Sequence, residues 1–209
     1  VKKKERKEKM FTTYYTTLSR DDLEGLQKNK PQDSFRVYRR EHLVHHLSQY
    51  ILEVPIDNTY VFYYKRRKEG VIYRPLRAFT ILDRWTPQVQ RLFAADAAQR
   101  VVHLAEGYEE ECRNILRTVR KFALGQCTKA ELAVAYAEAE SILARGAFPT
   151  AAAAKFLPHE AAMDAAELAI EVDAQVSTLP EEHNHLSTLL WQWLDGSRTA
   201  NDVRRELAE

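Results

Sequence analysis

The spacing of apolar positions changes character about 85 residues into the chain. Before that point, short runs of Thr, Tyr and β-branched residues alternate with turn signals; beyond it, apolar residues recur every three or four positions. Met10 to Leu18 reads as a strand, and Ser19 caps a short helix with Asp21 and Asp22 in its first turn. Phe35 to Arg39 predicts a second strand. Arg40 to Leu52 predicts a helix, because His42 or Leu43, His46, Leu47, Tyr50 and Ile51 fall at helical spacing and Pro55 closes the run. Thr59 to Arg67 and Val71 to Leu76 predict a hairpin that turns at Lys68–Glu69–Gly70, with glycine supplying a positive φ.

From Thr86 onward the punctuation is helical. Thr86 and Pro87 supply an N-cap and a first-turn proline for a helix to about Glu106, with a stripe of Val89, Phe93, Ala97, Val101 and Leu104 and a stop at Gly107. A second helix from about Tyr108 to Gly125 carries Ile115, Leu116, Val119 and Phe122. Thr128 and Glu131 form a capping box for a third, which ends near Arg145–Gly146. Pro149 and Pro158 bracket a short helix or turn. His159 to Val176 and Pro180 to Leu194 predict two more helices, the latter stopped by Gly196, and Thr199 to Asp202 caps a short last one. The fold class expected is an α+β N-terminal part followed by an all-α bundle, mainly α overall. Its parts are a basic tail at 1–9, an α+β domain at 10–84 and an alanine-rich bundle at 85–209.

Ala133, Ala135, Ala137 and Ala139 present little bulk and favour close helix packing. Alanine buries little area, so the expected core anchors are Phe93, Leu104, Leu116, Phe122, Leu132, Tyr136, Leu143, Leu168, Leu190, Trp191 and Trp193.

Composition places a boundary in the same region. Of 26 alanines only Ala78 precedes residue 92, and eight of ten tyrosines lie before it. The net charge of +1 is a cancellation: residues 1–91 carry 20 basic and 11 acidic side chains, residues 92–209 carry 11 and 19. With 45% hydrophobic residues the chain has material for a core, and it holds no apolar run of membrane-spanning length. Val1 to Lys9, with six basic residues, reads as a solvated tail; Phe11 to Leu18 is too polar to follow it as the apolar part of an export signal. A cytoplasmic location is the expectation, and Val1 as first residue points to a fragment or an alternative start.

The stretch Leu92-Phe-Ala-Ala-Asp-Ala-Ala-Gln-Arg-Val-Val-His-Leu-Ala-Glu106, with Ala123 to Leu132 and the alanine-rich helix after it, resembles a family of helical proteins in bacterial and phage genomes described as immunity proteins of polymorphic toxin systems. Arg100 to Leu104 matches that family's first block and Lys121 to Glu131 its third. Glu109-Glu110-Glu111-Cys112-Arg113 departs from the D-R-P-R block between them. The resemblance covers about residues 85–176. It implies a non-catalytic protein that binds and occludes a macromolecular target.

Candidate binding residues follow from charge pattern. Glu160, Asp164, Glu167 and Glu171 recur at spacings of four and three and line one helix face without basic neighbours, which fits either a docking face for a basic protein partner or a plain solvated face. Lys65, Arg66, Arg67 and Lys68 sit beside Tyr60, Tyr63, Tyr64 and Tyr73, a mixture that could track phosphates and stack on bases, or simply keep a hairpin soluble. Arg40 and His45 have the R-x4-H spacing of certain helical ribonucleases. His42, His45 and His46 share the predicted helix, and His183 and His185 lie near a helix start. Cys112 and Cys127, 15 positions apart, read as small apolar residues.

No G-x-S-x-G turn and no phosphate-cradling glycine loop is present, so no catalytic residue, metal ligand or cofactor is assigned. A protein partner is the first expectation, nucleic acid the second. Opposite charge on the two halves also allows self-association.

Overall fold

A computed structural model describes residues 11–28, 35–57, 62–64, 69–72, 79–105, 107–145 and 180–209. The chain divides into two units, Val1–Leu82 and Asp83–Glu209. The fold is mainly α, with an α+β N-terminal part.

The first unit is built on a six-stranded antiparallel sheet: β1 (Phe11–Leu18), β2 (Phe35–Tyr38), β3 (Tyr50–Asp57), β4 (Phe62–Tyr64), β5 (Glu69–Ile72) and β6 (Thr80–Ile81), in the order β4-β5-β2-β1-β3-β6. The spine is the full-length pairing of β1 with β3, in which Tyr14 faces Val54, Thr16 faces Leu52 and Leu18 faces Tyr50. Alternation puts these six side chains on one face. There Tyr14, Leu18, Leu52, Val54 and Val37 form a buried cluster with Leu23 and Leu26 of helix α1 (Arg20–Gln27). Ser19 caps that helix as expected, its hydroxyl accepting from the Asp22 N–H at 3.2 Å. Thr16, buried on the same face, satisfies its hydroxyl on the Arg36 carbonyl at 2.8 Å.

Two local expectations fail here. The helix expected over Arg40 to Leu52 is instead a 3-10 turn at Arg40–His46 followed by strand β3. The helical spacing was satisfied by a segment that is also rich in β-formers, and pairing along all of β1 decided the outcome. Pro55 does not close a helix but lies within β3 opposite Thr13. Ile51 gives its carbonyl to the Leu82 N–H at 2.9 Å, so Ile51, Glu53 and Pro55 all turn their backbone groups away from β1. Pro55 lies beyond Glu53, the last residue of β3 paired with β6, so no ladder bond needs its missing N–H.

The expected hairpin forms, yet its turn is displaced. Tyr64 pairs with Glu69 and Tyr63 with Gly70, so Glu69 and Gly70 belong to β5, and Gly70 lies between Tyr63 of β4 and Val37 of β2. Lys65, Arg66, Arg67 and Lys68 connect the two strands and fall outside the described residues, as do Val1 to Lys9.

The second unit holds helices α2 (Pro87–Val101), α3 (Glu109–Ala123), α4 (Lys129–Ala144), α5 (Pro180–Asp195) and α6 (Ala200–Glu206). Their caps follow the sequence. Thr86 accepts from the Val89 N–H at 3.2 Å, and Pro87 occupies the first turn. Thr128 accepts from the Glu131 N–H at 3.2 Å while the Glu131 carboxylate accepts from the Thr128 N–H at 2.6 Å. At α6 the Asp202 carboxylate accepts from the Thr199 N–H at 2.7 Å. Gly125 and Gly196 take positive φ where α3 and α5 end, as expected; Gly107 also takes positive φ, but α2 stops at Val101, short of the expected Glu106, and a 3-10 turn at Val102–Leu104 intervenes.

Helix α2 is not the one-sided amphipathic helix of the sequence reading. Every residue from Gln90 to Ala98 is buried, which makes it the central helix, packed by α3 and α5. Alanines at 94, 95, 97 and 98 permit this by letting neighbours approach on several sides. On α4 only alternate members of the alanine row go inward: Ala135 and Ala139 are buried with Leu132 and Ile142, and Ala133 and Ala137 are exposed, because residues two apart cannot share a helix face. Phe93, Leu116, Leu132, Leu190 and Trp193 are core residues, whereas Phe122, Tyr136 and Trp191 are half-buried. The His159 to Val176 helix, with Leu168, lies outside the described residues. No helix among the described residues is long and apolar enough to cross a membrane.

Candidate functional site

A carboxylate in the middle of an alanine-rich helix organises the second unit. Asp96 lies on α2 between Ala94–Ala95 and Ala97–Ala98, and its side chain is 6% exposed. Burial of a carboxylate demands compensation by charge and hydrogen bonds. Oδ1 accepts from Arg120 Nη2 of α3 and from Arg198 Nη2, both at 3.0 Å. Oδ2 accepts from Arg198 Nε at 2.5 Å and from the indole Nε1 of Trp193 on α5 at 3.2 Å. Arg198 therefore grips Asp96 side-on with two parallel bonds, the geometry that makes arginine–carboxylate pairs strong and directional.

Arg198 is brought there by the turn that ends α5. Gly196 at φ 87° reverses the chain, and the Gln192 carbonyl accepts from both the Gly196 N–H at 3.2 Å and the Arg198 N–H at 2.9 Å. The other edge of the guanidinium meets Glu206 of α6, Nη1 to Oε1 at 2.7 Å and Nη2 to Oε2 at 3.1 Å. Its carbon stands 5.5 Å from the Trp193 ring centroid. These hydrogen bonds, to Glu206 first and Asp96 second, raise the Arg198 pKa above its ordinary value, and the bond from Arg198 holds Glu206 below the usual carboxylate range. Arg120 Nη1 reaches Gln99 Oε1 at 3.4 Å.

The network forms one wall of a cleft of about 410 Å³ within the second unit. Gln99 and Arg100 of α2, Arg120 of α3, His185 and Thr188 of α5, and Glu206 of α6 contribute to its lining. Arg198 pairs with Asp96 and Glu206 and Arg120 with Asp96, and Arg100 is a third arginine in the lining. Among the described residues the buried Arg100 Nη1 and Arg120 Nε have no hydrogen-bond partner.

Sequence reading did not nominate Asp96, Arg100, Arg120 or Arg198. One signal was present: an acid in the run Leu92 to Ala98 has small apolar neighbours on every side, so it had to be either the one exposed position or a buried charge with distant partners. The partners themselves, 24 to 102 positions away, carry no local mark.

The residues singled out in the sequence fare differently. Glu160, Asp164, Glu167 and Glu171 fall outside the described residues, as do Lys65 to Lys68. Arg40 and His45 lie on the 3-10 turn rather than an α-helix, and His46 stacks on Tyr38 with ring centroids 4.1 Å apart. His185 lines the cleft. Cys112 is buried and its thiol is pushed up to about 11, chiefly by desolvation; Cys127 is half-buried, its sulfur 3.5 Å from the Thr118 carbonyl oxygen. Among the described residues no group of three or more His, Cys, Asp or Glu is arranged to hold a metal. No family model matches the chain, and no curated protein or solved structure matches it.

Proposed function

We propose that this is a non-enzymatic interaction protein, an immunity-like or phage-encoded inhibitor that binds a macromolecular target and occludes it. The observation that carries the reading is the coincidence of charge with architecture. The unit Val1–Leu82 holds 18 basic and 10 acidic residues, and the unit Asp83–Glu209 holds 13 and 20. Two units of opposite sign suit steering toward charged macromolecular surfaces. A second support is that the Asp96 carboxylate accepts from three side chains, which fits a structural role better than proton transfer.

The contact face in this reading is Glu160, Asp164, Glu167 and Glu171. Affinity capture with the full chain, followed by mass spectrometry and repeated with all four changed to lysine, tests it. Loss of one specific basic partner in the variant is the expected result; equal capture removes the stripe from the proposal.

Nucleic-acid binding is the second reading, favoured by the hairpin in which Lys65 to Lys68 link β4, at the sheet's edge, to β5. It predicts that binding of a single-stranded oligonucleotide, followed by fluorescence anisotropy, weakens steeply between 50 and 200 mM salt, as counterion release requires. Binding insensitive to salt, or unchanged on replacing the four basic residues by alanine, rules it out.

A further inference from the structure

We infer that the cleft beside Asp96 is a binding site for the oxyanion group of a small ligand, a phosphate or carboxylate, with Arg100 as its anchor. The charges are unbalanced in one direction. Asp96 and Glu206 are consumed by Arg198, and Asp96 also by Arg120, which leaves the three guanidiniums one positive charge in excess. That excess resides on Arg100: among the described residues no ion pair involves it. Its Nη1 is buried and makes no hydrogen bond to any described residue, and the same holds for Nε of Arg120, an arginine of α3 that also lines the cleft.

Buried N–H groups are almost always satisfied, so two guanidinium donors without a partner among the described residues, just beneath the surface of one cleft, favour an acceptor supplied by a ligand. The acceptor must be anionic to balance the charge, and small, since about 410 Å³ lies at the lower end of ordinary ligand sites. Arg120 is held by Asp96 and Gln99, so that cation is positioned before a ligand arrives, and Arg100 stands on α2 just past its buried stretch Gln90 to Ala98. Thr188 and Gln192 offer neutral polar contacts to the rest of the ligand, and Leu189 an apolar one. A turn of the Arg100 terminal torsions would bring its unpaired donor onto a bound oxygen. This site is independent of the macromolecular contact proposed above.

The test is an NMR titration of the full chain with inorganic phosphate and, separately, acetate, each against sodium chloride at equal ionic strength. Saturable shifts of the Arg120 Nε–H and Trp193 indole N–H signals with either oxyanion are expected, and the stronger of the two names the ligand class. In Arg100→Gln the apparent affinity falls at least about tenfold, the loss of one charged hydrogen bond, while Arg100→Lys recovers part of it. Shifts that only track ionic strength in the unaltered chain overturn the inference, as does full affinity in a folded Arg100→Gln. Should that variant fail to fold, the titration of the unaltered chain decides alone.

Discussion

The indole of Trp193 donates to the carboxylate of Asp96 at 3.2 Å across 97 positions of sequence, inside a bundle whose central helix flanks that carboxylate with alanines. The bond ties the end of α5 to the middle of α2, where small side chains supply little buried area of their own. Arg198 and Arg120 converge on the same two oxygens, so a single carboxylate fastens α2, α3 and the turn that leaves α5.

Removal of that carboxylate leaves the part-buried Arg120 without its ion-pair partner and Arg198 with Glu206 alone. Asp96→Ala is expected to destabilise the helical unit by about 3–5 kcal/mol, the usual cost of breaking a buried ion pair from one side. Trp193→Phe, which keeps most of the apolar bulk and loses one donor, costs about 1–3 kcal/mol. Because both changes act on one network, the double variant loses less than the sum. Urea unfolding followed by circular dichroism measures all three, and strict additivity would separate the residues energetically.

Glu206 makes the same network sensitive to acid. Its folded-state pKa lies below the ordinary 4.5, because Arg198 hydrogen-bonds the charged form. A depressed carboxylate contributes stability that is complete above about 4.5 and is lost as pH falls through the lower folded value. Melting temperature should therefore fall in that acidic window in the unaltered chain and fall less in Glu206→Gln. The difference is modest, since the Glu206 side chain is 48% exposed. Parallel curves for the two proteins refute the assignment.

Thiol reactivity should discriminate the two cysteines. Desolvation pushes Cys112 up to about 11 and also raises Cys127, which is only half-buried. Alkylation of the native protein at pH 8, read by peptide mass spectrometry, is expected to modify Cys127 first and to reach Cys112 only on unfolding. Equal labelling in the native state contradicts the burial of Cys112.

At Gly196 the backbone rather than space sets the constraint. A Cβ there would lie 1.7 Å from Nη1 of Arg84, but that is the end of an exposed, flexible side chain that can move. The positive φ cannot be relieved so simply, and Gly196→Ala should cost about 1–2 kcal/mol. Adding Arg84→Ala should restore little of it. Substantial recovery in the double variant would show the collision with Arg84 to be the larger effect.

Much of the helical unit was legible because caps are local. Thr86–Pro87, Thr128–Glu131 and Thr199–Asp202 each bring donor and acceptor together within three residues, and Gly107, Gly125 and Gly196 mark chain reversals whatever packs around them. Arg40 to Pro55 was misread for the opposite reason: its apolar spacing suits a helix in isolation, and only the partner strand at Phe11–Leu18 makes extension the better state. Tertiary context overrides local preference most readily in such a short, two-way segment.

The amino-acid sequence alone determined where the described helices of the second unit begin, the division of charge along the chain and the strand character of Phe11 to Leu18, since each depends on neighbours a few bonds apart. Only the tertiary structure decided that α2 is buried on all sides, that Pro55 lies in a sheet, and that Asp96, Arg120, Trp193 and Arg198 meet. A buried charge needs its counter-charge within a few ångströms but not within any particular number of residues, so its partners are visible only once the chain has folded.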